Sequence, residues 1–159
     1  MLEKQLVKTN QDIVQLFTIL EPIWREVFTP IIGIDQVTYM MTNYQSIDNI
    51  KQEIASGAQY FLIRYKGENV GYTAYEETDT QIYISKLYLN NSVRGKGLSS
   101  QLFDWYDELG KGKVLHLNVN QGNEQAIKIY EHKGFKRVDE RYVDIGEGYI
   151  MNDYVYEKN

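Results

Sequence analysis

Apolar positions change their spacing several times along the chain, and each change marks an element. Residues 2–8 carry a short strand-like pattern, and Thr9 with Asp12 three residues later is a helix-start signal. Ile13, Phe17, Leu20 and Trp24 then recur at helical spacing and predict a buried stripe, which Pro22 is expected to break or tilt. Ile34, Val37, Met41 and Tyr44 predict a second helix. Ser46 is placed to cap a third, with Ile47, Ile50 and Ile54 inward and Gly57 at its end. Residues 59–64 and 69–76 follow as short strands separated by the turn-like Lys66-Gly67-Glu68-Asn69. After Thr78-Asp79-Thr80, residues 81–89 form the strongest strand pattern of the chain.

The second half alternates strand and helix. Leu98, Leu102, Trp105 and Leu109 predict one apolar helix face, and residues 114–119 the next strand. Asn123 opens another helix, in which Ala126, Ile129, Tyr130 and Lys133 share a side before Gly134 ends it. Residues 135–143 and 149–156, around a turn at 144–148, predict an antiparallel hairpin. This order predicts an α/β (mixed α+β) fold, a central mixed sheet with helices on both faces, rather than a doubly wound nucleotide fold. At 159 residues, the chain is expected to form one domain spanning 1–159.

Composition narrows the chemistry. With no cysteine there is no disulfide, thiolate nucleophile or cysteine metal site, and His116 and His132 alone make a metal centre improbable. The amino terminus lacks the apolar run of a signal peptide, and no stretch is long and apolar enough to span a bilayer, so a soluble, cytoplasmic protein is expected. A net charge of −5 disfavours nucleic acid and anionic membranes as partners and favours a cationic acceptor such as an amine or polyamine. The 14 tyrosines suit amphipathic packing at sheet edges and helix seams, and with the terminal hairpin they offer surfaces for a homodimer.

Arg94-Gly95-Lys96-Gly97 leads from a predicted strand into a predicted helix. Glycines there let successive backbone amides turn toward a small concavity, and the following helix adds unsatisfied donors and the positive end of its dipole. The segment lacks the Gly-Lys-Ser/Thr ending of a P-loop and the glycine spacing of a dinucleotide fold, which favours a different phosphate carrier. Arg94, Gly97 and Ser99 together with Asn123, Ala126, Tyr130, Gly134 and Phe135 resemble the coenzyme-A-binding core of the GNAT family of N-acetyltransferases. Ser99 departs from the small, hydroxyl-free residue usual in the family's motif.

That resemblance implies a sheet of six or seven strands, acetyl-CoA as cosubstrate without a metal, and direct acetyl transfer to a primary amine of a small molecule. It implies that the backbone from Arg94 through Gly95, Lys96, Gly97, Leu98 and Ser99 to Ser100 surrounds the coenzyme-A diphosphate, and that Leu87, Tyr88 and Leu89 expose backbone groups to the pantetheine arm. A backbone donor near Leu89 would polarise the thioester carbonyl, and Tyr130 would protonate the departing thiolate. Asn123 either caps its helix or binds coenzyme A. Asn118 reaches the pantetheine or a water, or makes an ordinary strand-end hydrogen bond. Related enzymes often place Glu where Ser85 stands, so Glu76 or Glu77 on the earlier strand, or His116 on the neighbouring one, is the candidate proton relay. Residues 144–154 resemble a branch related to bacterial polyamine acetyltransferases. The alternatives are a peptide or amino-sugar acceptor, a longer acyl group, or an acyl-CoA-sensing domain without turnover.

Overall fold

A computed structural model describes residues 2–159. Along the chain come β1 (Leu2–Leu6), α1 (Asn10–Ile32), α2 (Ile34–Asn43), α3 (Ile47–Ala55), β2 (Gln59–Tyr65), β3 (Glu68–Glu77) and β4 (Gln81–Leu89). They are followed by α4 (Leu98–Leu109), β5 (Val114–Asn120), α5 (Glu124–His132), β6 (Lys136–Gly146) and β7 (Tyr149–Lys158). The strands form a seven-stranded mixed sheet in the order β1-β2-β3-β4-β5-β7-β6, the class of sheet the sequence predicts. β4 runs parallel to β5, while the β1–β2, β2–β3, β5–β7 and β6–β7 pairs are antiparallel.

Packing divides the chain into two compact units, and β4 and α4 contribute to both. The first comprises residues up to Glu76 together with Ser85–Leu102. Its α1 opens on a reciprocal cap: the Asp12 amide donates to Thr9 Oγ1 at 3.1 Å, and the Thr9 amide donates back to Asp12 Oδ2 at 3.0 Å. The backbone amides of Lys8 and Thr9 hold the Asp12 carboxyl below the usual carboxylate range.

Pro22 does not break this element. α1 runs unbroken for 23 residues with Pro22 and Pro30 inside it, because Leu20, Ile23, Trp24 and Phe28 are all buried on its inner side. Burying side chains of that size stabilises the helix by about 1.5–3 kcal/mol each, enough together to outweigh the roughly 3 kcal/mol cost of an interior proline. Three further expectations shift. Leu16 takes the fully buried place while Phe17 is half-buried, and Ile34 and Tyr44, expected on an inner face, are 65% and 39% exposed.

Tyr60 on β2 and Tyr72 on β3 are both fully buried. The Tyr60 hydroxyl donates to Glu53 Oε1 on α3 at 2.9 Å, whereas the Tyr72 hydroxyl has no partner among the described residues. A buried hydroxyl left unsatisfied costs about 1–3 kcal/mol. Tyr72→Phe is therefore expected to raise the unfolding free energy by about 1 kcal/mol or more, read by chemical denaturation. A variant less stable than the parent would contradict this assignment.

The second unit comprises Glu77–Ile84 and Phe103–Asn159. Leu115, Leu117 and Val119 are the buried face of β5, so His116, Asn118 and Asn120 project from the other. Phe103 of α4, Tyr130 of α5 and Phe135 form an aromatic triangle with centroid separations of 5.9, 6.0 and 6.0 Å. On α4, Leu98 and Leu102 are buried as the spacing predicts, and Phe103 and Tyr106 join them, while Trp105 and Leu109 are half-buried.

Two tight hairpins share one device. Lys66-Gly67 joins β2 to β3 with φ of 52° and 81°, and Glu147-Gly148 joins β6 to β7 with φ of 53° and 80°. Two positive-φ residues are what the right-handed twist of a two-residue hairpin requires. The second turn is thus shorter than the five residues expected, and β6 continues to Gly146.

Candidate functional site

In the first unit, β4 delivers the chain to the glycine turn. The Asn90 amide donates to Val70 O on β3 at 2.7 Å, and Asn90 Oδ1 accepts from the Ser92 amide at 3.3 Å. Val93 and Leu98 are buried in one apolar cluster with Leu2, Ile63, Val70 and Leu102, and Leu87 and Leu89 pack against it. These anchors pin both ends of the turn. Between them Arg94, Gly95, Lys96 and Gly97 are exposed, while Ser99 and Ser100 are half-buried.

Gly95 and Gly97 have φ of 78° and 75°, and a Cβ on either would meet nothing within 4 Å. Backbone conformation, not crowding, therefore demands glycine here. The turn opens onto the start of α4, where helix amides and the dipole favour an anion. With two exposed cations beside exposed main-chain amides, these residues fit a diphosphate without a metal.

Before that turn, Lys86 of β4 carries the unit's most perturbed cation. Desolvation lowers its pKa, and the nearby carboxylates of Glu53 and Glu76 pull the other way. Burial, with the Glu53 charge next in size, pushes Tyr60 well above the usual tyrosine range. Glu76 itself is exposed at the end of β3, and Thr73 Oγ1 donates to Lys86 O at 2.6 Å. Ser85 Oγ donates to Ala74 O at 3.4 Å, a backbone bond within the sheet.

In the second unit, Asn123 Oδ1 accepts from the Ala126 amide at 3.3 Å and so caps α5. Four residues beyond Ala126, Tyr130 is half-buried, and its hydroxyl makes no hydrogen bond to the described residues. Burial against the aromatic triangle pushes this phenol up to about 12.

Glu77 is engaged by Lys113 Nζ at 2.5 Å. His116 Nδ1 lies 2.9 Å from Glu157 Oε2 across the β5–β7 pair, and its ring meets Tyr83 edge-on at 5.6 Å. Asn118 Nδ2 donates to the Tyr83 hydroxyl at 3.4 Å, whereas Asn118 Oδ1 is buried and unpartnered. These side chains line an open groove of about 490 Å³ with Gln81, Asp139, Arg141 and Val155. The sequence singled out His116 and Asn118 but missed Tyr83, Asp139 and Arg141. Strand alternation gives each residue's face, yet only the cross-strand register, with Tyr83 opposite His116 and Val155 opposite both Asn118 and Asp139, brings them together.

The acetyltransferase (GNAT) domain model matches residues 31–150. An uncharacterized N-acetyltransferase encoded in the pepI 3′ region of Lactobacillus delbrueckii subsp. lactis is 29% identical over 152 residues, covering 86% of this chain and 87% of the relative. The uncharacterized N-acetyltransferase YjgM of Escherichia coli K12 is 31% identical over 93 residues, covering 52% of this chain and 54% of the relative. Among solved structures, the PaiA N-acetyltransferase of Thermoplasma acidophilum in complex with coenzyme A superposes with a TM-score of 0.80 at 17% identity, over 99% of this chain and 98% of that one. Arabidopsis thaliana Naa50 with the bisubstrate analogue CoA-Ac-MVNAL gives a TM-score of 0.68 at 21% identity, over 99% and 98% of the two chains. With 120 of its 159 residues inside the family model, the strand–glycine turn–helix arrangement described above is that of an acetyl-CoA-dependent N-acetyltransferase, and the chain belongs to the GNAT family.

Proposed function

We propose that residues 1–159 act as one acetyltransferase domain that moves an acetyl group directly from acetyl-CoA to the primary amine of a small cationic molecule, polyamines included. The observation that carries the coenzyme-A placement is the exposed Arg94–Gly97 turn, held at positive φ on the threshold of α4. Amides from Gly95 to Ser100, with Arg94 and Lys96, are assigned to the diphosphate. The backbone of Leu87, Tyr88 and Leu89 is assigned to the pantetheine arm, with a Leu89 main-chain donor on the thioester oxygen. Apolar positions change parity along β4, from buried Ile82 and Ile84 to Leu87 and Leu89 against the apolar cluster, which is what a bulge that re-aims such donors produces.

Tyr130 is assigned the proton for the departing sulfur. A phenol pushed up to about 12 keeps that proton at neutral pH, and its hydroxyl makes no hydrogen bond to the described residues. Asn123 caps α5, and with Ala126 it is assigned to the coenzyme's path along that helix. The acidic balance, −5 overall, favours a cationic acceptor. Glu76 is exposed and adds its charge to the surroundings of Lys86, so in this reading it tunes that lysine's field.

Incubation with acetyl-CoA and a panel of diamines, amino sugars and short peptides tests the reading. Free coenzyme A together with an acceptor heavier by one acetyl group supports it, with diamines expected as the best acceptors. Tight acetyl-CoA binding without turnover of any amine would turn the assignment to an acyl-CoA-sensing domain. For the turn, Gly97→Val forces a β-branched residue to φ of 75°, a strain of about 1–3 kcal/mol. Coenzyme-A affinity, measured by calorimetry, is expected to fall about tenfold or more. Unchanged affinity in the folded variant would move the diphosphate elsewhere.

A further inference from the structure

The groove on the second unit lacks the apolar lining of an ordinary packing defect. Val155 is its single aliphatic wall, and the remaining lining residues, Gln81, Tyr83, His116, Asn118, Asp139 and Arg141, are polar or charged. Its volume of about 490 Å³ suits a small molecule.

Two acceptors at this face are unsatisfied. Among the described residues, Asn118 Oδ1 is buried without a donor, and so is Oδ1 of Asp153, a residue only 6% exposed. Asp153 lies opposite both Asn120 and Arg141 in register, so its side chain shares the face of the groove. Arg141 approaches it at 3.7 Å, through Oδ2 only. Unsatisfied buried acceptors are costly, and a ligand with N–H donors would remove that cost. Charge points the same way. Asp139, Asp153 and Glu157 are three carboxylates on this face, against the two cations Arg141 and Lys136, the latter opposite Glu157 at the strand end.

The histidine is oriented for proton transfer. A carboxylate accepts and does not donate, so the 2.9 Å contact to Glu157 places the ring proton on Nδ1. In the neutral ring the lone pair lies on Nε2, which has no partner among the described residues. The groups facing this ring are Tyr83 from β4, Glu157 from β7, and Asp139 and Arg141 from β6.

We propose that this groove is the acceptor site for a cationic aliphatic amine, with Asn118 Oδ1 and the Asp139 and Asp153 carboxylates receiving its N–H groups and His116 Nε2 accepting its proton. The inference rests on the acetyl-transfer reading. The ammonium R–NH3+ gives one proton to Nε2, and Glu157 stabilises the imidazolium that results. The freed nitrogen lone pair forms the C–N bond to the acetyl carbonyl carbon as the C–S bond breaks. The sulfur takes the Tyr130 proton, the amide nitrogen's surplus proton restores Tyr130, and His116 releases one proton to water.

The probe is 1,4-diaminobutane, with 1-aminobutane as the singly charged comparison. Asp139→Asn is expected to raise KM for the diamine about tenfold, with a smaller change for 1-aminobutane and none in acetyl-CoA affinity. His116→Gln is expected to lower kcat about 100-fold near neutral pH, a loss that shrinks at high pH where the amine arrives already neutral. Glu157→Gln, which keeps the shape of the hydrogen bond, is expected to reproduce a smaller version of that pH-dependent loss. Equal diamine KM in Asp139→Asn, together with an unaltered pH profile in His116→Gln, would overturn the proposal while leaving acetyl transfer standing. If the parent protein acetylates none of the amines, the acetyl-transfer reading fails first, and calorimetry decides the groove. Diamine binding lost in Asn118→Leu supports the site, and absence of binding overturns it.

Discussion

Replacing Tyr130 with phenylalanine is expected to lower kcat by about 100-fold or more while leaving acetyl-CoA affinity within about twofold, the scale at which a positioned proton donor contributes. The change removes one oxygen and leaves the ring between Phe103 and Phe135. Because the hydroxyl bonds to no described residue, the fold loses no internal hydrogen bond. Single-turnover kinetics with saturating acetyl-CoA separate the chemical step from binding, and an unaltered chemical rate would remove Tyr130 from the mechanism. The pKa has a second consequence. Burial raises the phenol from about 10 in an unfolded chain to about 12, so the folded state holds this proton more tightly. The associated stability is fully present below pH of about 10 and is lost as pH climbs toward 12. Tyr130→Phe should flatten that alkaline decline.

Gly71→Ala is expected to be among the most damaging single-methyl additions in the molecule. Its Cβ would lie 2.7 Å from Leu89 Cδ2 and 3.1 Å from Leu89 Cα, and it would clash directly with the Tyr88 carbonyl oxygen. Two of these three neighbours are main chain, so no side-chain rotation relieves the overlap. Overpacking of this kind costs about 1–3 kcal/mol. The strand must shift at Tyr88 and Leu89, the segment assigned to the pantetheine arm, so coenzyme-A affinity should fall together with the denaturation midpoint. Loss of stability with undiminished affinity would separate the Leu89 backbone from the coenzyme.

Element order was legible because period and punctuation agree along most of this chain. Thr9 and Asp12, Ser46, and Lys66-Gly67 each act locally, so their chemistry shows in the sequence. The break expected at Pro22 is absent for the opposite reason. A proline penalty is local, but the burial of Ile23, Trp24 and Phe28 that outweighs it is tertiary. Ile34 departs from its predicted inner face because an apolar residue at a helix start need not face a core, and here it is 65% exposed. The glycine turn and Tyr130 were found through contiguous motifs. Tyr83, Asp139 and Arg141 belong to strands whose neighbours are set by crossover and register, which spacing along one strand does not encode.

β6 closes the sheet at one rim, and ten of its eleven residues are exposed or only half covered. Its pairing with β7 skips at Val138, between Arg137 and Asp139, and again before Gly146. A foreign strand approaching this rim would find its ladder interrupted twice and ionic side chains at five of the six positions from Lys136 to Arg141. This open border is thus a poor template for polymerisation, although Val138 and Tyr142 face water there.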